Sequence, residues 1–324
     1  MSINLKDIKG LLEEDENLRE KYKICDGEKE NVKAFFFPQT ENFLELHRDE
    51  DGKVGFEAKE ESPEVKQVLL GVKPCFMEGI KLLDSVFLEE PKDTLYETRR
   101  NNTIIISTSC QELEPGCFCT SVGIDHENPG GGDIIIDPES EEVVTLSPKG
   151  KEFLQEVFES DREKSSEIEN IEVKDTEIQL ENHMEKAKRL KESLDEMEDS
   201  PLWDELSFRC LGCGLCTYYC PTCHCFDVCE YYRKDTGTRY RTWDSCMFSE
   251  FTKMAGGENP RPTRKDRVKN RFYHKFNYLP KKYERLGCVG CGRCLVHCPA
   301  GISPANILRE LGEMEDEDKS VSSR

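Results

Sequence analysis

The amino-acid sequence predicts an α+β protein: an N-terminal α/β domain (1–157), an acidic amphipathic helical linker (158–200), and a C-terminal, largely helical domain that binds metal (201–314). Three observations support this. Short apolar runs separated by turn signals fill the first half. Residues 158–200 contain no Gly, Pro or Cys and are crowded with Glu, Lys, Ser and Asp. Twelve of the seventeen cysteines fall within 201–314.

In the first zone, Phe35-Phe36-Phe37 before Pro38, Val68 to Val72, Thr103 to Ser107 and Asp133 to Asp137 are expected as strands. Between them, Ile80, Leu83, Val86 and Phe87 recur at helical spacing, which predicts a helix over Met77 to Phe87. In the linker, Leu180, Met184, Ala187, Leu190, Leu194 and Met197 make a stripe at three- and four-residue steps. Such a stripe predicts a helix that packs on one domain and stops before Pro201. The last ten residues, 315–324, are expected to form a disordered tail.

Composition narrows the class. The chain has 324 residues and a formal charge of −21. So acidic a chain is repelled by nucleic acid and by anionic membranes, so neither is expected as its main partner. No apolar run reaches the roughly 18 residues of a spanning helix, so no membrane insertion is expected. The N-terminus lacks a basic start followed by an apolar core. An odd number of cysteines in a long chain argues against a disulfide scaffold. The expectation is a cytoplasmic protein whose reduced thiols bind metal.

Two blocks define that metal chemistry. They run Cys210-Leu-Gly-Cys213-Gly-Leu-Cys216-Thr-Tyr-Tyr-Cys220-Pro221 and Cys288-Val-Gly-Cys291-Gly-Arg-Cys294-Leu-Val-His-Cys298-Pro299. Both follow the C-x2-C-x2-C-x3-C-P pattern, in which three thiolates wrap one 4Fe–4S cluster and the fourth reaches the other cluster. Cys210, Cys213, Cys216 and Cys298 are therefore assigned to cluster 1, and Cys288, Cys291, Cys294 and Cys220 to cluster 2. A zinc ribbon would use paired C-x2-C units instead. Between the blocks, Arg261 to Arg285 carries ten Lys or Arg against two acidic residues. Cations beside anionic clusters favour the reduced state; docking of an acidic partner is the other use for them.

The remaining cysteines are less regular. Cys75, Cys110, Cys117 and Cys119 are candidate ligands of a third 4Fe–4S cluster, with buried thiols or zinc as the alternatives. Cys223, Cys225, Cys229 and Cys246 form a surplus set, read as packed thiols beside a cluster or as a further centre. His224 and His297 lie inside the motifs. Dinucleotide and phosphate-binding loops and hydrolase motifs are absent, so no catalytic residue is assigned: a relay fits better than a complete enzyme.

The cluster spacing, the long insert and Tyr273-His274-Lys275 resemble the helical dicluster ferredoxin domains of heterodisulfide reductase and succinate dehydrogenase-type proteins. Further strings bring the resemblance closer to the iron–sulfur family that includes sulfhydrogenase beta subunits and the corresponding iron–sulfur component of anaerobic sulfite reductase. They are Cys220-Pro-Thr-Cys223-His-Cys225-Phe-Asp227, Trp243-Asp-Ser-Cys246, Met254-Ala-Gly-Gly257 and Arg261-Pro-Thr-Arg264. In the N-terminal half Gly71-Val-Lys-Pro74-Cys75, Tyr96-Glu-Thr-Arg99-Arg100, Cys110 and Pro115-Gly-Cys117-Phe-Cys119 extend it. Phe76 departs from the acidic residue expected there, and Cys25 and Cys229 are extra. The resemblance implies an electron-transfer subunit of an anaerobic oxidoreductase complex. It would stand between an FAD-containing, NAD(P)H-oxidising subunit with a 2Fe–2S centre and a catalytic subunit of hydrogenase or sulfite reductase type. A heterodisulfide-reductase-like iron–sulfur protein and a module with purely structural clusters are the competing readings.

Overall fold

A computed structural model describes residues 3–28, 30–59, 65–174 and 181–314. Leu180 of the linker stripe and the 315–324 tail lie outside them. Among the described residues nine strands form two sheets: β1 (Tyr22–Asp26), β2 (Thr40–Arg48), β3 (Val54–Ala58), β4 (Lys66–Val72), β5 (Thr103–Ser107), β6 (Ile134–Ile136), β7 (Val143–Thr145), β8 (Phe226–Arg233) and β9 (Thr236–Trp243).

The first sheet has the order β1-β4-β5-β6-β7, parallel except for the β6–β7 pair. The β4–β5 crossover runs through helices Pro74–Phe87 and Thr94–Asn101. Both faces of such a sheet are covered, so its central strands are continuously apolar; Val68, Leu69, Ile104, Ile105 and Ile106 are all buried. Helix Pro74–Phe87 begins earlier than its apolar spacing suggests, with Pro74 in the first turn, where its missing N–H costs nothing. Cys75 thus sits inside that turn rather than ahead of it.

Two expectations are corrected. Phe35-Phe36-Phe37 is not a strand, because Lys33–Phe36 is a short helix that ends at Phe37. A helical turn buries both Phe36 and Phe37 in one core, whereas strand alternation would send neighbours to opposite faces. The region after 201 is not wholly helical either. It contributes the hairpin β8–β9, which joins β2–β3 in an antiparallel sheet of order β3-β2-β9-β8. Glu41 of β2 is buried there between Arg99 and Arg241, with Arg99 Nη2 at 2.6 Å, and Arg241 also reaches Asp93.

The linker helix, Glu181–Asp195, turns Ala187, Leu190 and Leu194 inward, with Met197 buried just beyond it; Met184 stays exposed. It docks on the run Arg264–Tyr283, which contains a π-helical turn at His274–Tyr278. Tyr273 Oη donates to Leu194 O (2.9 Å) and Asn277 Nδ2 to Asp195 (2.6 Å). His183 ties three segments together: Nδ1 lies 2.8 Å from Val122 O, and Nε2 accepts from Leu286 N at 3.3 Å.

Candidate metal centres

Cys210, Cys213, Cys216 and Cys298 line one cavity, with Arg271 in its wall. Cys220, Cys288, Cys291 and Cys294 line a second, with Lys275 and Phe118. Each cavity thus draws three thiols from one motif and one from the other. Backbone amides already point at sulfur: Gly212 N donates to Cys210 Sγ (3.4 Å) and Ile302 N to Cys298 Sγ (3.3 Å).

Cys75, Cys110, Cys117 and Cys119 line a third cavity, which Cys291 also borders. The chain reaches this arrangement through a close approach of two loops. Gly290 and Gly292 both have positive φ, and a Cβ on them would lie 2.4 Å from Cys119 Cα and 2.3 Å from the Gly116 backbone. Phe118 N donates to Gly290 O (2.7 Å), and Cys117 Sγ stands 3.7 Å from Cys291 O. Glycine in the second motif therefore lets the N-terminal cysteine loop lie against it.

Burial sets the electrostatics. It pushes the metal-free thiols of Cys117 and Cys216 up to about 11 and those of Cys119 and Cys288 to about 12. Bare thiolates are thus disfavoured, and metal must displace their protons. The same interior holds cations. Arg271 is buried, and its Nε and Nη2 find no hydrogen-bond partner among the described residues. Burial acts against its charge, but the nearby Cys216 and Cys294 sulfurs favour the charged form and raise its pKa. Lys275 is likewise buried; Cys220, Cys223 and Cys288 outweigh desolvation, and Nζ lies 3.3 Å from Cys220 Sγ. Uncompensated buried cations are costly, so this interior fits anionic clusters. Among the described residues no three His, Cys, Asp or Glu side chains converge tightly enough for a single ion.

The surplus set divides. Cys223, Cys225 and Cys246 gather next to Cys220, whereas Cys229 faces Tyr240 along the β8–β9 ladder and takes no part. Cys25 lies in β1 within the core. His224, its pKa lowered by burial to about 4, packs edge-on to His274; His297 stacks on Tyr219. The Arg261 to Arg285 stretch splits into buried Arg271 and Lys275 and exposed residues such as Lys281 and Lys282. Sequence reading missed Lys33, buried with Nζ 3.7 Å from the Trp243 ring centroid. A lone lysine just ahead of an apolar run gave no signal.

These cysteine-lined cavities and buried cations define an iron–sulfur protein, and residues 209–302 match the 4Fe–4S dicluster domain family. The chain is 36% identical over 291 residues to sulfhydrogenase 2 subunit beta of Pyrococcus furiosus, covering 87% of this chain and 82% of that one. It belongs to the sulfhydrogenase beta-subunit family, as an iron–sulfur electron-transfer protein. No solved structure matches it. No described helix is long and apolar enough to cross a membrane.

Proposed function

We propose that the chain relays single electrons inside a cytoplasmic, anaerobic oxidoreductase complex. It would work between an FAD-containing, NAD(P)H-oxidising subunit with a 2Fe–2S centre and a catalytic subunit of hydrogenase or sulfite reductase type. Cys210, Cys213, Cys216 and Cys298 hold one 4Fe–4S cluster, and Cys288, Cys291, Cys294 and Cys220 a second. Cys75, Cys110, Cys117 and Cys119 hold a third. A 4Fe–4S cluster, when bound, supplies one-electron chemistry at a tunable potential.

The observation that carries this reading is the serial order of the cavities. Cys291 borders the N-terminal and middle ones, and Arg271, in the wall of the last, interacts with Cys294 of the middle one as well as with Cys216. Arg271 and Lys275 offset the added negative charge of reduction, while Phe118 and Val289 close the middle site to water. Cys213 is exposed at the far end, flanked by solvent-facing Phe208 and Leu211, so an external partner can approach there.

Anaerobic purification with iron and sulfide counting, followed by reduction with an NADPH-driven flavoprotein, tests the proposal. At least about twelve irons per chain, reducible in one-electron steps, is expected. A colourless protein, or clusters inert between roughly −700 and +450 mV, would sink it.

A further inference from the structure

Three thiols outside the sets above meet at the base of the β8–β9 hairpin. Cys223 and Cys225 precede β8, and Cys246 follows β9; the Phe226–Trp243 pair and the hydrogen bond from Asp244 N to Cys225 O (3.0 Å) close the hairpin between them. Cys225 and Cys246 are close enough to influence each other's protonation, as are Cys223 and Cys220. Cys223-His-Cys225 repeats the one-residue spacing of Cys117-Phe-Cys119.

Lys33 supplies an independent observation. Its side chain is 2% exposed. Nζ donates to Thr217 O (3.3 Å) and lies over Trp243, and no carboxylate pairs with it among the described residues. Burial lowers its pKa and so works against its charge; of the ionisable groups around it, the thiols of Cys223, Cys220 and Cys225 favour the ammonium and a second cation, Lys275, opposes it. A buried ammonium beside another cation needs lasting negative charge nearby. Protonated thiols or a Cys225–Cys246 disulfide would be neutral. A thiolate-ligated metal centre would not be.

We propose that Cys223, Cys225 and Cys246 hold a further iron–sulfur cluster, bound by three protein thiolates and adjoining the middle cavity at Cys220. This inference rests on the proposed function, because that reading commits Cys220 to cluster 2.

The test uses the full chain, purified anaerobically, with iron and acid-labile sulfide counted per chain. Cys225→Ala and Cys246→Ala should each lose about four irons relative to wild type, and Cys229→Ala none. Wild-type iron in both of the first two variants overturns the proposal. A measurement on unmutated protein guards against misfolding. Under anaerobic reducing conditions, Cys223, Cys225 and Cys246 should resist alkylation until iron is chelated, whereas Cys229 labels at once. Prompt labelling of the three, or a mass showing a Cys225–Cys246 disulfide, overturns it while leaving the relay intact; a wild type without iron would remove both.

Discussion

Arg271 and Lys275 are charges that the sequence displays and only the fold makes meaningful. Both come from a stretch whose other cations are half-buried or exposed, yet these two turn inward among thiols. A unit charge about 6 Å away contributes about 3 kcal/mol at an effective dielectric of 20. Arg271→Gln should therefore lower the midpoint potential of the flanking clusters by on the order of 100 mV, measurable by redox titration monitored by electron paramagnetic resonance. Unchanged potentials would mean the guanidinium does not sense the clusters. His183 makes a prediction of the opposite kind. Burial lowers its pKa below the ordinary 6.5 even though the Val122 bond favours the charged ring, and Nε2 must be unprotonated to accept from Leu286 N. Between that depressed value and 6.5 the unfolded chain binds the extra proton. Its contribution to stability is thus present above pH 6.5 and is lost as pH falls below it. His183→Gln should flatten denaturant midpoints measured from pH 7.5 down to pH 5; an unaltered slope would assign the acid sensitivity elsewhere.

Elements differ in how far the sequence disclosed them. Thr103 to Ser107 is a strand with the expected bounds, and the helix over Ile80, Leu83 and Phe87 has the expected periodicity, because burial of continuous or periodic apolar residues is a local signal. The hairpin β8–β9 was not legible: Phe226–Arg233 is almost entirely exposed, so no alternation marks it. Its partner strand lies some two hundred residues earlier, beyond any local pattern. The thiols of the two C-terminal motifs were legible from spacing alone, but the nearness of Cys75 and Cys110 to Cys291 was not, because it depends on two loops touching. That contact can be tested. Gly290→Ala forces a Cβ into the Cys119 backbone at a positive φ. It should lose about four irons of the N-terminal set and leave a protein still coloured by the others; full iron retention would show that the loops can separate. Leu194→Ala, in the buried linker stripe, should cost about 2–5 kcal/mol in chemical denaturation. A negligible change would mean that the linker helix is not docked.

On the scale of the whole molecule, two sheets and a docked helix bind the two cysteine-rich regions into one interior. Glu41 is the ionic hinge of that arrangement, buried between arginines that come from the first and the last third of the chain. Removing one member of a buried pair typically costs about 3–5 kcal/mol. Glu41→Gln should therefore lower the thermal midpoint of the intact protein, and wild-type stability would show that hydrogen bonding alone suffices there. The shared sheet also bears on how such a protein can be assembled and inherited. Strand β2 leaves the ribosome long before β9 exists to cover its edge, so the early part of the chain must wait, unfinished and prone to mispairing, until synthesis is nearly complete. A gene segment encoding only the later cysteines would keep their sulfur ligands and the β8–β9 hairpin but lose β2, leaving one edge of β9 bare, so transplanting it as a free-standing electron carrier should yield an aggregating product.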